Sequence, residues 1–264
     1  MTDWLITTDL DGTLLNHHSY DATGIPEIIE QLQHHAIPVI LNSSKTLAEL
    51  TAWRHQLNLL SPVIAENGGV MANHHTECLG VALTDFLPSL HAWREQLSEP
   101  SFVGFSDWSL DEVVAATGLS SAEAALAKAR LVSEPIKWLG TEALLVQFET
   151  YLAQLGLQCV AGGRFFHVMG RHSKATALAA LRSDVSSWLP DYQFKPDYQI
   201  LALGDGDNDR AMLMAADVAV IMPKPDGSYL KLATRPGQQV IYSALPAPAG
   251  WIQCVEQLIF QEAG

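Results

Sequence analysis

Four short apolar runs, each ending in a polar loop, constrain this chain most. Residues 4–8, 37–41, 62–65 and 199–203 read as buried strands, and 218–221 adds one more. Apolar spacing at Ile25, Ile28, Ile29 and Leu32 marks a helix after the first run, and a helical pattern starts at Leu47 after the second. Strand–helix alternation of this kind predicts an α/β fold with a doubly wound parallel sheet. Ligands bind such sheets at the carboxyl ends of the strands.

Two of those ends concentrate carboxylates. Asp9-Leu10-Asp11-Gly12-Thr13 leaves the first run directly. Asp9 and Asp11 share a side if the strand persists, because side chains alternate with period two. Like charges that close are tolerated beside a cation or with one group protonated. An Asx-turn at a strand end is the competing reading of these five residues. The second end is Gly204-Asp205-Gly206-Asp207-Asn208-Asp209. An EF-hand calcium loop would need more length and a closing glutamate, which Arg210-Ala211-Met212-Leu213 does not supply. Together the clusters suit a hard cation with oxygen ligands. Mg²⁺ takes one or two protein carboxylates plus water and substrate phosphate.

Cations are scarce. Lys+Arg number 15 against 29 Asp+Glu, a net charge of −14. Such a surface repels nucleic acid and anionic lipid, so neither is an expected partner. An anionic substrate then needs a local positive cluster. Lys45 and Lys174 each stand near a helix start, and Ser43 offers a hydroxyl. A capped helix with a solvated lysine is the other reading of residues 42–46. A metal, two lysines and a hydroxyl could surround a phosphoryl group, and a carboxylate can serve as covalent nucleophile.

Cys78, Cys159 and Cys254 show neither a disulfide framework nor zinc spacing. His17 and His18 read as exposed loop residues of a small hairpin or flap rather than ligands. No signal-peptide pattern and no membrane-length apolar run is visible, so a soluble cytoplasmic protein is expected. The rhythm changes after about residue 80. Helical stretches there mix with strands, and residues 158–161 and 165–169 flank Gly162-Gly163-Arg164 as a hairpin. The expected organisation is a catalytic core of residues 1–80 and 170–264 with an inserted α+β cap at 81–169.

These motifs resemble the haloacid dehalogenase superfamily of phosphatases over essentially the whole chain. Its four motifs correspond to residues 9–13, Ser43, Lys174, and Gly204-Asp205 through Asn208-Asp209. The resemblance implies that Asp9 attacks phosphorus and that Asp11 protonates the leaving alcohol, then activates water. It implies Mg²⁺ held by Asp9, the Asp11 backbone carbonyl and Asp205, with Asn208 and Asp209 in support. Ser43 and Lys174 would bind the transferring phosphoryl oxygens.

Within the superfamily the chain is similar to the mannosyl-3-phosphoglycerate phosphatases. The matching segments are Ser43-Ser44-Lys45-Thr46, Glu66-Asn67-Gly68-Gly69, residues 133–138 and Gly162-Gly163-Arg164-Phe165. Relatives usually carry a Thr-Gly-Arg type sequence where this chain has Ser43-Ser44-Lys45, and many place Gly where it has Ala175. The implied substrate is a phosphorylated sugar-glycerate. Ser44, Lys45, Glu134 and Arg164 are the expected substrate contacts, with Arg130 and Lys137 as weaker candidates. Other sugar phosphates (glucosyl-3-phosphoglycerate, sucrose phosphate, hexose phosphates) and a phosphomannomutase-like reaction are the alternatives.

Overall fold

The computed structural model describes residues 2–97, 99–162 and 164–261. Its strands are β1 (Thr2–Thr8), β2 (Val39–Asn42), β3 (Val63–Ala65), β4 (Val70–Ala72), β5 (Thr76–Cys78), β6 (Phe102–Gly104), β7 (Ser133–Trp138), β8 (Leu157–Ala161), β9 (Phe166–Gly170), β10 (Phe194–Gly204), β11 (Val218–Ile221) and β12 (Gln239–Tyr242).

Eight of them form one sheet in the order β12-β11-β10-β1-β2-β3-β4-β5. Pairing is parallel from β12 to β3 and antiparallel at β3–β4 and β4–β5. The expected α/β fold is therefore the observed one, with an antiparallel edge added. The parallel strands are apolar at nearly every position because both faces are covered. Ile6, Leu41, Val63, Leu203 and Val220 face one layer, which includes Trp251 from helix Ala249–Glu256 and Ile25 and Ile28 from helix Ile25–His34. Leu5, Ile40, Ile64, Ile200 and Ala219 face the other, with Leu178 and Leu181 from helix Lys174–Ser183. β4, β5 and β12 escape the sequence reading. Each has only three or four residues, too few to show a period, and β5 and β12 lie at the sheet's two edges. Residues 17–19 form a turn rather than a strand pair, held by the Asn16 side chain accepting from the His18 and Ser19 N–H groups.

The remaining four strands make a separate antiparallel sheet, β6-β7-β9-β8. The expected hairpin is β8–β9, closed by Gly162 N–H donating to Phe165 O at 2.9 Å. Gly163 lies outside the described residues. Helices Leu83–Glu95 and Glu142–Gln154 cover one face, burying Phe86, Leu90, Phe148 and Leu152 against Phe102, Ile136, Leu157 and Val168. A second cluster gathers Phe105, Val113, Ala124 and Ala127, where helices Leu110–Thr117 and Ser121–Lys128 pack together. Among the described residues, no helix is long and apolar enough to cross a membrane.

Hydrogen bonds join the two sheets' layers close to the carboxyl ends of β2 and β3. Thr46 Oγ1 donates to Leu126 O at 2.9 Å, and Arg130 Nη1 donates to Ser44 O at 2.7 Å. Glu66 reaches furthest across. Its carboxylate accepts from Leu131 N (2.8 Å), Val132 N (3.0 Å) and Ser133 Oγ (2.6 Å).

Candidate active site

A cavity of about 820 Å³ lies between the carboxyl ends of the large sheet and the smaller sheet. Asp9, Asp11, Asp205, Asp207 and Asn208 line its floor. Asp9 continues β1 by one bond, its N–H donating to Leu203 O of β10 at 3.0 Å. The chain then coils tightly, with the Thr13, Leu14 and Leu15 N–H groups all donating to Leu10 O. Gly12 makes this turn at φ +79°. A Cβ there would sit 2.9 Å from Oδ2 of Asp205, so the residue must be glycine for both conformation and space. Thr13 Oγ1 donates to the other oxygen of Asp205 at 3.2 Å.

Lys174, fully buried, sits beneath the floor. Its Nζ is 2.6 Å from Oδ1 of Asp9 and 2.6 Å from Oδ1 of Asp209. Burial alone would lower its pKa, but the two carboxylates hold it above the ordinary lysine value. Asp209 uses its remaining oxygen to accept from the Asp205 and Gly206 N–H groups, at 3.1 and 2.9 Å. Both Asp209 oxygens are thus engaged, and its part is to hold Lys174 and the Asp205 loop.

Oxygens of Asp9, Asp205 and Asp209 lie within 4.8 Å of one another. Three carboxylates face one ammonium, and burial together with Asp209 and Asp9 pushes the Asp205 carboxyl well above its usual range. A divalent cation would relieve that imbalance, and Asp9 and Asp205 present hard oxygen donors. The residues present therefore fit Mg²⁺. The Asp11 side chain is turned elsewhere: its Oδ2 is 2.9 Å from Lys45 Nζ. Of the expected ligand set, Asp11 could contribute through its backbone alone.

Burial raises the Asp11 pKa against the pull of Lys45. Its Oδ1 is buried without a hydrogen-bond partner among the described residues. Lys45, an expected substrate contact, lines the cavity and also approaches Glu49 (3.9 Å) and the Tyr20 ring (5.1 Å to the centroid). It is the counter-ion of Asp11 in the cavity wall. Ser43 is 1 % exposed, its Oγ accepting from Lys45 N–H at 3.4 Å, while Ser44 lines the cavity. Asn208 lines it too, and its Nδ2 donates to Asn67 Oδ1 at 3.3 Å.

The expected cap contacts divide. Arg164 and Arg130 line the cavity. Arg164 Nη1 donates to Thr117 O at 2.6 Å, which fixes the guanidinium at the wall. Glu134 does not line the cavity and is corrected. It is 1 % exposed, with Oε1 accepting from Ser106 N (2.8 Å) and Oγ (2.6 Å). Its reach toward Ser106 depends on Gly104, whose missing side chain leaves room for the carboxylate. Lys137 is exposed.

Two contributors carry no role in the sequence reading. Glu66 and Asn67 adopt positive φ, +50° and +56°. Their turn accepts His172 Nε2 at Glu66 O (3.1 Å) and gives the Asn67 N–H to Ser43 O (2.9 Å). A Cβ on Gly68 would overlap the Ser173 carbonyl at the start of the Lys174 helix. One turn thus touches the Ser43, Lys174 and Asn208 segments as well as the smaller sheet. Its sequence signal is a buried acid beside Asn-Gly-Gly. The other contributor is His167 in β9, a polar residue inside an apolar strand, which lines the cavity.

Residues 6–84 match the haloacid dehalogenase-like hydrolase family. The matched segment holds Asp9, Asp11 and Ser43 and stops before β6. The whole fold also has solved counterparts. A haloacid dehalogenase-like hydrolase from Bacteroides thetaiotaomicron aligns with a TM-score of 0.68 at 18% identity, over 98% of this chain and 100% of that one. A sugar phosphatase of haloacid dehalogenase subclass IIB gives 0.67 at 14%, over 96% and 98%. A Thermotoga maritima protein gives 0.66 at 15%, over 96% of each. At these identities the likeness is one of fold.

Proposed function

We propose that this protein is a Mg²⁺-dependent phosphatase acting through an aspartyl-phosphate on Asp9, with mannosyl-3-phosphoglycerate as substrate. The observation that carries the reading is the Lys174 ammonium held 2.6 Å from both Asp9 and Asp209 under a cavity floored by Asp9, Asp11 and Asp205. That arrangement anchors one oxygen of Asp9 and leaves its carboxylate at the cavity. The haloacid dehalogenase-like match over residues 6–84 and the sugar phosphatase among the fold neighbours support it.

In this mechanism a carboxylate oxygen of Asp9 attacks phosphorus and the ester bond to the sugar-glycerate breaks. The Asp11 carboxyl, kept protonatable by burial, gives its proton to the departing alkoxide. Asp11 then takes a proton from water as that water cleaves the aspartyl-phosphate, which releases phosphate and restores Asp9. Lys45 holds Asp11 in place through both steps. Mg²⁺, when bound by Asp9, Asp205 and the Asp11 backbone carbonyl, supplies the charge neutralisation that lets an anionic ester approach a carboxylate.

Residues 81–169 serve as the cap that selects substrate, over a catalytic core of 1–80 and 170–264. Arg164 and Arg130 place two guanidinium groups in the cavity wall of a chain with net charge −14. They suit a carboxylate such as that of a glycerate. The test is phosphate release from mannosyl-3-phosphoglycerate, glucosyl-3-phosphoglycerate, sucrose phosphate and hexose phosphates, before and after chelation. Preference for the first, loss with chelator and recovery with Mg²⁺ are expected. Equal activity on simple hexose phosphates would overturn the substrate. Isomerised sugar phosphate in place of free phosphate would indicate a phosphomutase.

A further inference from the structure

The cap side of the cavity contains a group that the reaction above does not use. Phe105, Pro135, Ala161, Gly162 and Phe165 line this part of the wall around His167. None of those five side chains carries a hydrogen-bonding atom, so the polar groups beside them are His167 and the guanidinium groups of Arg130 and Arg164. Strand alternation explains the placement. Phe166 and Val168 of β9 turn into the cap core, which sends His167 to the opposite face beside its register partner Pro135.

The ring is 9 % exposed, and its Nδ1 is buried with no hydrogen-bond partner among the described residues. Buried side-chain polar atoms are bonded in the large majority of cases, so an unpartnered one on a residue that lines a cavity is a place where a bound molecule can supply the missing bond. Burial, with Arg130 and Lys174 nearby, pushes the imidazole pKa down to about 3. The ring is therefore neutral, with one N–H donor and one nitrogen acceptor. That pair matches a hydroxyl, which also both donates and accepts. Phosphate and carboxylate groups mainly accept, and Arg130 and Arg164 in the same wall suit them better than a neutral ring does.

We propose that His167 is a specificity-determining residue that hydrogen-bonds a hydroxyl on the part of the substrate remote from the transferred phosphoryl group. The site then takes polyhydroxylated phosphate monoesters in preference to bare ones. This inference rests on the phosphatase reading. It does not depend on which sugar is preferred.

The experiment compares wild type, His167→Ala and His167→Gln on a set of sugar-bearing phosphate monoesters and on p-nitrophenyl phosphate, which has no hydroxyl group. His167→Ala should lower kcat/KM for the best sugar-bearing ester about 10- to 100-fold, chiefly through KM. Its activity on p-nitrophenyl phosphate should stay within about 2-fold. His167→Gln, which keeps a neutral donor and acceptor, should recover part of the loss. An equal loss on both kinds of substrate would make His167 a structural residue, and no loss on either would remove it from the site. An active wild type with no preference for any hydroxyl-bearing ester would also overturn the role. A wild type inactive on every monoester would overturn the phosphatase reading itself.

Discussion

The floor and the roof of the cavity hold their polar groups in opposite ways. On the floor each carboxylate is bonded through at least one oxygen: Asp9 and Asp209 to Lys174, Asp205 to the Thr13 hydroxyl, Asp11 to Lys45. In the roof, Glu134 is committed to Ser106 and Arg164 is bonded to Thr117, while His167 Nδ1 has no partner among the described residues. A floor of mutually bonded groups suits chemistry that is the same for every substrate, because preorganised charges need not move during the reaction. A roof whose lining includes an unpartnered neutral ring suits recognition, because a bound molecule can complete it. Glu66 joins the two, with its carboxylate on residues 131–133 and its backbone on the floor's loops.

This contrast breaks most sharply at Asp9. Asp9→Asn should reduce phosphate release by at least about 10⁴-fold, since the amide is no nucleophile. Its urea midpoint should stay close to wild type. Substantial turnover by that variant would remove the floor from the chemistry. Lys174→Met removes the ammonium that Asp9 and Asp209 share. It leaves Asp9 and Asp209 buried without their cation and should cost about 3–5 kcal/mol in urea unfolding. A near-neutral result would mean the ion pairs are not what holds the floor.

The seam comes next. Glu66→Ala leaves two N–H groups and the Ser133 hydroxyl without an acceptor and should cost about 2–3 kcal/mol. Limited proteolysis should then cut the smaller-sheet region more readily than the large sheet. The roof is sensitive to acid. The His167 pKa is depressed to about 3 in the folded state against 6.5 for a free histidine. Between those values the unfolded chain binds the proton and the folded one does not. Stability is intact above pH 6.5 and falls as the pH drops toward 3, by about 2 kcal/mol at pH 5. His172, also depressed by burial, adds to the same trend. Urea midpoints at pH 7 and pH 5 test this, and His167→Gln should lessen the drop. The smallest effect belongs to Glu134→Gln, which should leave kcat/KM within about 2-fold because the side chain faces Ser106 rather than the cavity.

The residues of the floor were readable because each stands within a few positions of a strand end or helix start. Residues 9–13, 43–45 and 204–209 follow β1, β2 and β10, and Lys174 opens its helix. The shared face expected for Asp9 and Asp11 came about differently. β1 ends at Thr8; Asp9 is placed by its bond to Leu203 of β10, whereas Asp11 lies in the coil that turns at Gly12, and both line the cavity. Glu134 is expected as a substrate contact from the likeness of residues 133–138 to the mannosyl-3-phosphoglycerate phosphatases. Its direction is set by the space at Gly104 and the donors of Ser106, 28 residues away in sequence, which no local pattern records.

By itself the sequence determined the parallel sheet, since runs apolar at nearly every position and alternating with helices are buried between two layers. It also determined which loops carry acid, since those residues are fixed by short-range spacing. The tertiary structure decided the partnerships. It gave Lys45 to Asp11 rather than to open solvent, turned Glu134 inward and left a nitrogen of His167 unpaired at the cavity wall. Such pairings depend on which side chains arrive together from distant segments. That is a property of packing, and it appears only when the two sheets are brought face to face.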